Sequence, residues 1–287
     1  MITFSNLPKI RIIPQFGWMP DPADTYNKDM PLSSTPMATG AMGTVTAELD
    51  NSQFFRPVSS QFNFPACTAN AAADAWEAQV VVDKVDSGMS IESAIASTPD
   101  LSRMFLWWNG RNEMDPNRAS DASSGCYNRV IFDVLARHGV CTEELWPYDG
   151  MLMPDGRTRA VTRPSIKAYR AAFVNACGAF YCIKEMGAER GRLLQQALGA
   201  RHNAVFGTAI GDKFMDYKEG VIQRPTGSIR GRHALVICGY SALLNAYKVR
   251  NSWSESWGLK GYCWMSRDYI ENYEQTAGLW VATKGVL

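Results

Sequence analysis

The feature that most constrains the fold of this chain is a change of periodicity along it: helix-like segments come first and strand-like segments last. From Cys67 the sequence is rich in alanine, and Ala69, Ala72, Ala73, Trp76 and Val80 recur at helical spacing to about Val85, ahead of Ser87-Gly88. A second amphipathic stretch, 127–138, sets Val130, Ile131, Val134 and Leu135 on one side and stops at Gly139. A third helix is predicted over 190–198, ended by Gly199. Downstream, 233–240, 246–251, 261–265 and 279–283 are short, rich in β-branched and aromatic residues and separated by turn formers, as strands are. This segregation predicts an α+β chain.

Residues 1 to about 45 hold six of the fourteen prolines and carry neither period, so they read as an extended arm laid on or beside a domain. With 287 residues the rest can bury a core without staples, as one domain or two packed lobes. A formal charge of +1 gives no electrostatic footprint for nucleic acid or an anionic membrane, and neither partner is expected. No apolar run precedes Pro14, Pro20, Asp21 and Asp24, and the apolar uncharged stretch 234–247 is short for a span and broken by Gly239, Ser241 and Asn245. The expected location is cytoplasmic, with export by another route left open. Seven scattered cysteines without a CxxC, and three histidines, argue against a zinc site and a disulfide framework; no metal or organic cofactor is expected. Cys177 and Cys182 could pair, and spacing does not decide it.

The chemistry concentrates on Cys67. It stands where the Ala-rich helix should begin, preceded by Phe64-Pro65-Ala66, and the unpaired N–H groups and dipole of a helix N-terminus favour a thiolate. An imidazolium beside it can draw a thiol pKa from about 8.5 to roughly 3–4. His233 opens an apolar strand and Asn251 closes the next, so a hairpin can set them side by side. The imidazole would activate the thiol and later protonate the leaving amine, while the Asn251 carbonyl would hold its tautomer and orientation. Gln61 could supply a side-chain N–H beside the backbone N–H of Cys67, together cradling an oxyanion; losing such a donor costs about 10²–10³ in rate. A lone cysteine is more often a buried structural thiol, and the order Gln61, Cys67, His233, Asn251 is what sets this one apart. Cys126 also precedes a helix and is the rival nucleophile, without an upstream glutamine at that separation. His138 and His202 read as structural residues at helix ends, and Trp107-Trp108 as core of the helical part.

The stretch from His233 through Asn251-Ser252-Trp253 to Ser256-Trp257-Gly258-Leu259-Lys260-Gly261-Tyr262 resembles the papain-like cysteine peptidases, whose pattern is a His-Ala strand followed by Asn-Ser-Trp-Gly-x-x-Trp-Gly-x-x-Gly-Tyr. Gln61 and Cys67 reproduce that family's oxyanion glutamine and nucleophile, and Leu145-Trp146-Pro147-Tyr148 is similar to the segment that closes its first lobe. The resemblance covers about residues 55 to 284; Gly17-Trp18-Met19-Pro20-Asp21 and Cys67-Thr68-Ala69-Asn70 look like a bacterial or phage branch. Phe62 and Pro65 stand where the family has glycines, Phe64 where it commonly has a disulfide cysteine, Thr68 for a tryptophan and Ser254 for a glycine.

The resemblance implies a two-lobed α+β fold: an arm over 1–45, a mainly helical lobe over 46–160 carrying Cys67, and a β-rich, barrel-like lobe over 161–287 carrying His233 and Asn251, with the active-site cleft between. It implies an endopeptidase working through a thioester acyl-enzyme on peptide or protein substrates. Trp253 would shield the Asn251–His233 bond, with Trp257 in support. Ser124 and Gly125 would line the cleft, and Arg232 would lie near the pocket reading the second residue upstream of the cleaved bond, where apolar or acidic side chains are expected. The family's long propeptide domain is missing, so the arm could lie in the cleft as a built-in plug. The alternatives are a transferase, isopeptidase or amidase using the same thioester, and a binding protein on a dead peptidase scaffold.

Overall fold

The computed structural model describes residues 16–22, 31–39, 48–149 and 153–284. Two short arm elements, β1 (Trp18–Met19) and α1 (Pro36–Thr39), precede β2 (Glu48–Asp50). A helical section follows: α2 (Cys67–Asp86), α3 (Ile91–Ser97) and α4 (Arg103–Met114), then the two-residue strand β3 (Cys126–Tyr127) leading into α5 (Asn128–Arg137). Beyond it, helices α6 (Ile166–Ala172), α7 (Gly187–Gly199), α8 (Asp212–Met215) and α9 (Arg267–Glu271) alternate with strands. The strands are β4 (Ala179–Ile183), β5 (Ala204–Gly211), β6 (Val221–Ile222), β7 (Ile229–Ser241), β8 (Ala246–Arg250), β9 (Tyr262–Ser266) and β10 (Ala277–Thr283). They form one sheet in the order β4-β10-β5-β7-β8-β9-β6, and β2 adds to the far end of β7. The chain is α+β, but its second half interleaves helices with strands rather than holding strands alone.

The three sequence-predicted helices correspond to α2, α5 and α7, and the four predicted strands to β7 through β10, each within a few residues. Gly139 ends α5 as expected: its φ is +70°, and a Cβ there would fall 2.1 Å from the Ala172 carbonyl oxygen. The missed elements lack periodic contrast. In α4 every residue from Arg103 to Arg111 is buried, and in β5 all eight residues are, so no polar face marks the period. The local signal at α4 was a cap: Ser102 Oγ accepts the Phe105 N–H at 3.0 Å.

Strand β7 divides the interior. Its alternation puts Ala234, Val236 and Cys238 against the helical core around α2, with Trp76, Phe105 and Ile131, and puts Leu235 and Ile237 against a second core with Leu193, Phe206 and Val249. Helix α2 is therefore wrapped by helices and sheet together, which is why alanine dominates it. The arm touches the body at two places. Leu32 is fully buried in the second core and the Ala38 carbonyl accepts from Arg192 Nη1 at 3.0 Å, while residues 16–22 lie over the N-terminal end of α2. The arm's first fifteen residues lie outside the described residues. None of the seven cysteines is in a disulfide, so Cys177 and Cys182 do not pair.

Candidate active site

Helix α2 starts at Cys67 because Pro65 and Ala66 bring the chain in without a side-chain cap, leaving the first-turn amides to the sulfur. Backbone hydrogen bonds from Ala234, Gly17, Thr68 and Cys67 itself converge there. Ala234 is the chain neighbour of His233, so the strand that carries the histidine is the one that meets the thiol. On the far side of the imidazole, Nε2 lies 2.8 Å from Asn251 Oδ1, which also accepts the Ser252 N–H at 2.8 Å. An oxygen accepting twice makes Nε2 the N–H end, so Nδ1 carries the lone pair. That nitrogen is buried and has no hydrogen-bond partner among the described residues.

Trp253 covers the dyad with its ring centroid 4.8 Å from that of His233. Trp257 reaches the histidine only through neighbours, packing on Trp253 at 5.6 Å and on Phe214 at 4.8 Å. Phe214, 6.0 Å from the imidazole, was not singled out from the sequence, where nothing distinguishes it from ordinary core.

Gln61 is fully buried. Its Nε2 donates to the Phe64 carbonyl at 2.8 Å, its Oε1 accepts from Ser252 Oγ at 2.7 Å, and its own carbonyl accepts from Tyr148 Oη at 2.9 Å. The loop keeps a glycine-like backbone without the glycines: Phe62 has φ +51° and Ser254 φ +62°. A left-handed non-glycine residue costs about 1–2 kcal/mol. At Phe62 the ring stacks on Tyr148 at 6.5 Å, a contact glycine could not make.

Residues 16–18 of the arm pack against these groups. Gly17 lies over Cys67, its carbonyl accepting the Cys126 N–H at 2.8 Å, and β1 runs parallel to β3 with Trp18 opposite Cys126. Phe16 packs 6.3 Å from both His233 and Trp253. The fit needs small residues on both sides. A Cβ on Gly17 would sit 1.8 Å from the Pro65 oxygen, and one on Gly207 would sit 1.9 Å from the Trp18 ring. Asp21 anchors the segment, accepting from Trp280 Nε1 at 2.8 Å and from the Arg129 N–H of α5 at 3.1 Å.

This cover reverses the electrostatics expected from sequence. Cys67 and His233 are both completely buried. Burial pushes the thiol up to about 11, against the pull of the converging amides, and pushes the imidazole down to about 4, against the Asn251 bond. The pair is therefore neutral while covered, not the low-pKa thiolate and imidazolium that the residue types suggest.

The remaining sequence candidates fall around this centre. Ser124 is buried and hydrogen-bonded by Arg118 Nη1 at 3.1 Å, and Gly125 lies against the Gly17 carbonyl. Arg232 is exposed on β7, opposite Ala209 of β5. Cys126 is fully buried and its thiol is raised by burial. The sequence reading also missed Asp74. Its carboxylate, one helical face below Cys67, meets Arg250 Nε at 2.7 Å and Arg103 Nη2 at 2.9 Å, tying α2 to the strand that ends at Asn251. Among the described residues there is no cluster that could hold a metal ion and no helix long and apolar enough to cross a membrane.

Comparison with known proteins agrees with this arrangement. The family model described as "Papain family cysteine protease" matches residues 46–279. An uncharacterized peptidase C1-like protein of Acanthamoeba polyphaga mimivirus is 28% identical over 225 residues, covering 75% of this chain and 66% of its own. Chymopapain of Carica papaya is 28% identical over 198 residues, covering 66% and 51%. The chain thus spans about half to two thirds of the length of these relatives. Among solved structures, xylellain, a cysteine protease from Xylella fastidiosa, superposes with a TM-score of 0.76 at 24% identity, covering 98% of this chain and 100% of that one. Digestive procathepsin L 3 of Tenebrio molitor gives 0.65 at 15% identity, covering 89% and 73%. The likeness to these two structures is one of fold. With the fold alike and a family match running through Gln61, Cys67, His233 and Asn251, the chain belongs to the papain family of cysteine proteases.

Proposed function

We propose that the chain is a cysteine endopeptidase held in a covered state by its own N-terminal arm. The observation that carries the reading is the paired role of His233: Nε2 is committed to Asn251 Oδ1, while the unpartnered Nδ1 is on the residue whose neighbour bonds the Cys67 sulfur. In the uncovered site Nδ1 takes the thiol proton, and the sulfur attacks a peptide carbonyl carbon. The electron pair moves to the carbonyl oxygen, met by the Cys67 N–H and the Gln61 amide. When the C–N bond breaks, the imidazolium gives its proton to the departing amine and a thioester remains. Water, losing its proton to His233, hydrolyses the thioester and restores the thiol. Residues 16–22 oppose this in two ways: they occupy the cleft and, by excluding water, keep both reacting groups neutral.

The test is peptide turnover by the full chain and by Cys67→Ala. Turnover should vanish in the variant while the Tm stays close to that of the parent. Undiminished hydrolysis in Cys67→Ala would overturn the assignment. Products carrying an added amine in place of water would redirect it to acyl transfer, and a Cys67 that never reacts selectively with an epoxide inhibitor would leave a binding scaffold.

A further inference from the structure

We propose that Ser252 is a positioning residue that, opposite the Phe64 carbonyl, holds the Gln61 amide in place and couples it to the His233–Asn251 pair; the proposal rests on the peptidase reading above. Ser252 is buried and uses three groups at once. Its N–H donates to Asn251 Oδ1 at 2.8 Å, its carbonyl accepts the Gln61 N–H at 2.8 Å, and its hydroxyl meets Gln61 Oε1 at 2.7 Å. The direction of the last bond follows from its neighbour. Phe64 O, 2.8 Å from the other end of the amide, can only accept, so that end is Nε2 and the end facing Ser252 is the oxygen. The hydroxyl therefore donates.

An oxyanion forming at Cys67 requires a donor, and a flipped glutamine would turn an oxygen toward it. Flipping here would set Nε2 against Ser252 Oγ, which could still accept, but it would also set Oε1 against Phe64 O, two acceptors in contact in a buried site. Without the hydroxyl, Oε1 loses the donor that residue 252 supplies, and the amide is no longer fixed from that side. The backbone bonds of Ser252 to Asn251 and Gln61 survive its replacement by alanine, so the substitution isolates the hydroxyl. The same residue joins the group that moves the proton to the group that meets the negative oxygen, in adjacent bonds of one peptide unit.

The experiment compares Ser252→Ala, Ser252→Thr, Gln61→Ala and the Ser252→Ala/Gln61→Ala double variant of the full chain. Two readouts are needed: kcat and KM for a peptide substrate, and the rate and pH profile of iodoacetamide alkylation at Cys67, which forms no oxyanion. Removing an oxyanion donor costs about 10²–10³ in kcat, so misorienting one should cost roughly 10- to 100-fold, with KM within about twofold. Alkylation should be unchanged, Ser252→Thr should restore kcat to within a few-fold, and Ser252→Ala should add less than about twofold in the Gln61→Ala background. An unchanged kcat in Ser252→Ala, effects that multiply in the double variant, or an equal loss of alkylation each overturn the positioning role. A parent chain that alkylates at Cys67 yet hydrolyses no peptide overturns the underlying reading and this proposal with it, and the two failures are told apart by the parent alone.

Discussion

Two polar clusters lie buried within a few turns of each other on α2, and burial has opposite consequences for them. At the N-terminal end, Cys67 and His233 are driven to their neutral forms, to about 11 and about 4. Further along the helix, Asp74 is equally buried, yet Arg250 and Arg103 outweigh its desolvation and hold its carboxyl below the usual range. The difference is the partner. Asp74 is met by two permanent cations at hydrogen-bond distance, whereas the thiol and imidazole can become ions only by exchanging a proton with each other in a site closed to water. The ionic cluster is enclosed by core, whereas the thiol and imidazole are met by residues 16–18 of the arm.

The comparison breaks most severely at Asp74. Removing one partner of a buried ion pair costs about 3–5 kcal/mol, and Asp74→Ala would leave Arg250 without its carboxylate, while Arg103 keeps Asp100 and Glu77. The melting temperature should fall by roughly 6–20 °C in a calorimetric scan. A drop of only a degree or two would mean that the sheet and helices do not depend on this cluster. Next comes the cover. Gly17→Ala forces a Cβ against the Pro65 carbonyl; overpacking of this kind costs about 1–3 kcal/mol, which should move the covering equilibrium roughly 5- to 150-fold toward the uncovered form. Peptide turnover should rise accordingly, at unchanged Tm of the body. Equal turnover in parent and variant would show that the arm does not limit access.

A smaller, graded effect comes from pH. Because the covered His233 titrates near 4 against an ordinary 6.5, the covered form binds fewer protons than an uncovered one between those values. Its advantage is fully present above 6.5 and declines as pH falls toward 4, by at most about 1.4 kcal/mol, or tenfold, per unit. Acrylamide quenching of Trp18, isolated by difference from a Trp18→Phe variant, should increase over that window. Quenching that stays flat from pH 7 to pH 4.5 would separate the arm's docking from the charge on His233.

Much of the site was legible because its residues carry unusual chemistry in a fixed order. A cysteine ahead of an Ala-rich helix, a histidine opening one strand and an asparagine closing the next point to one another without coordinates. The strands β7 to β10 were legible for the same reason as α5: pattern and punctuation agree. What stayed hidden depends on distant partners. Asp74 reads as one more polar residue of a helix until Arg250 arrives from the sheet, and Phe214 as one more aromatic. Gly17 and Gly207 look like unrelated loop and strand glycines until Pro65 and Trp18 are seen against them. The thiol pKa differs from the sequence expectation for a physical reason: helix dipole and imidazole are local properties, whereas desolvation depends on the burial that the whole fold produces around Cys67. Phe62 and Ser254 depart from the family's glycines in sequence but keep the left-handed backbone, so residue identity overstated the change.

The central claim is that the arm holds the Cys67–His233 pair neutral, and the pH profile of iodoacetamide alkylation, with Cys67 identified by mass spectrometry, tests it most directly. The full chain should react slowly below pH 9 with its rate climbing toward about 11, and Gly17→Ala should show a midpoint shifted down by roughly 0.7 to 2 pH units, as a 5- to 150-fold change in the covering equilibrium allows. Superimposable profiles in the two proteins would contradict the account.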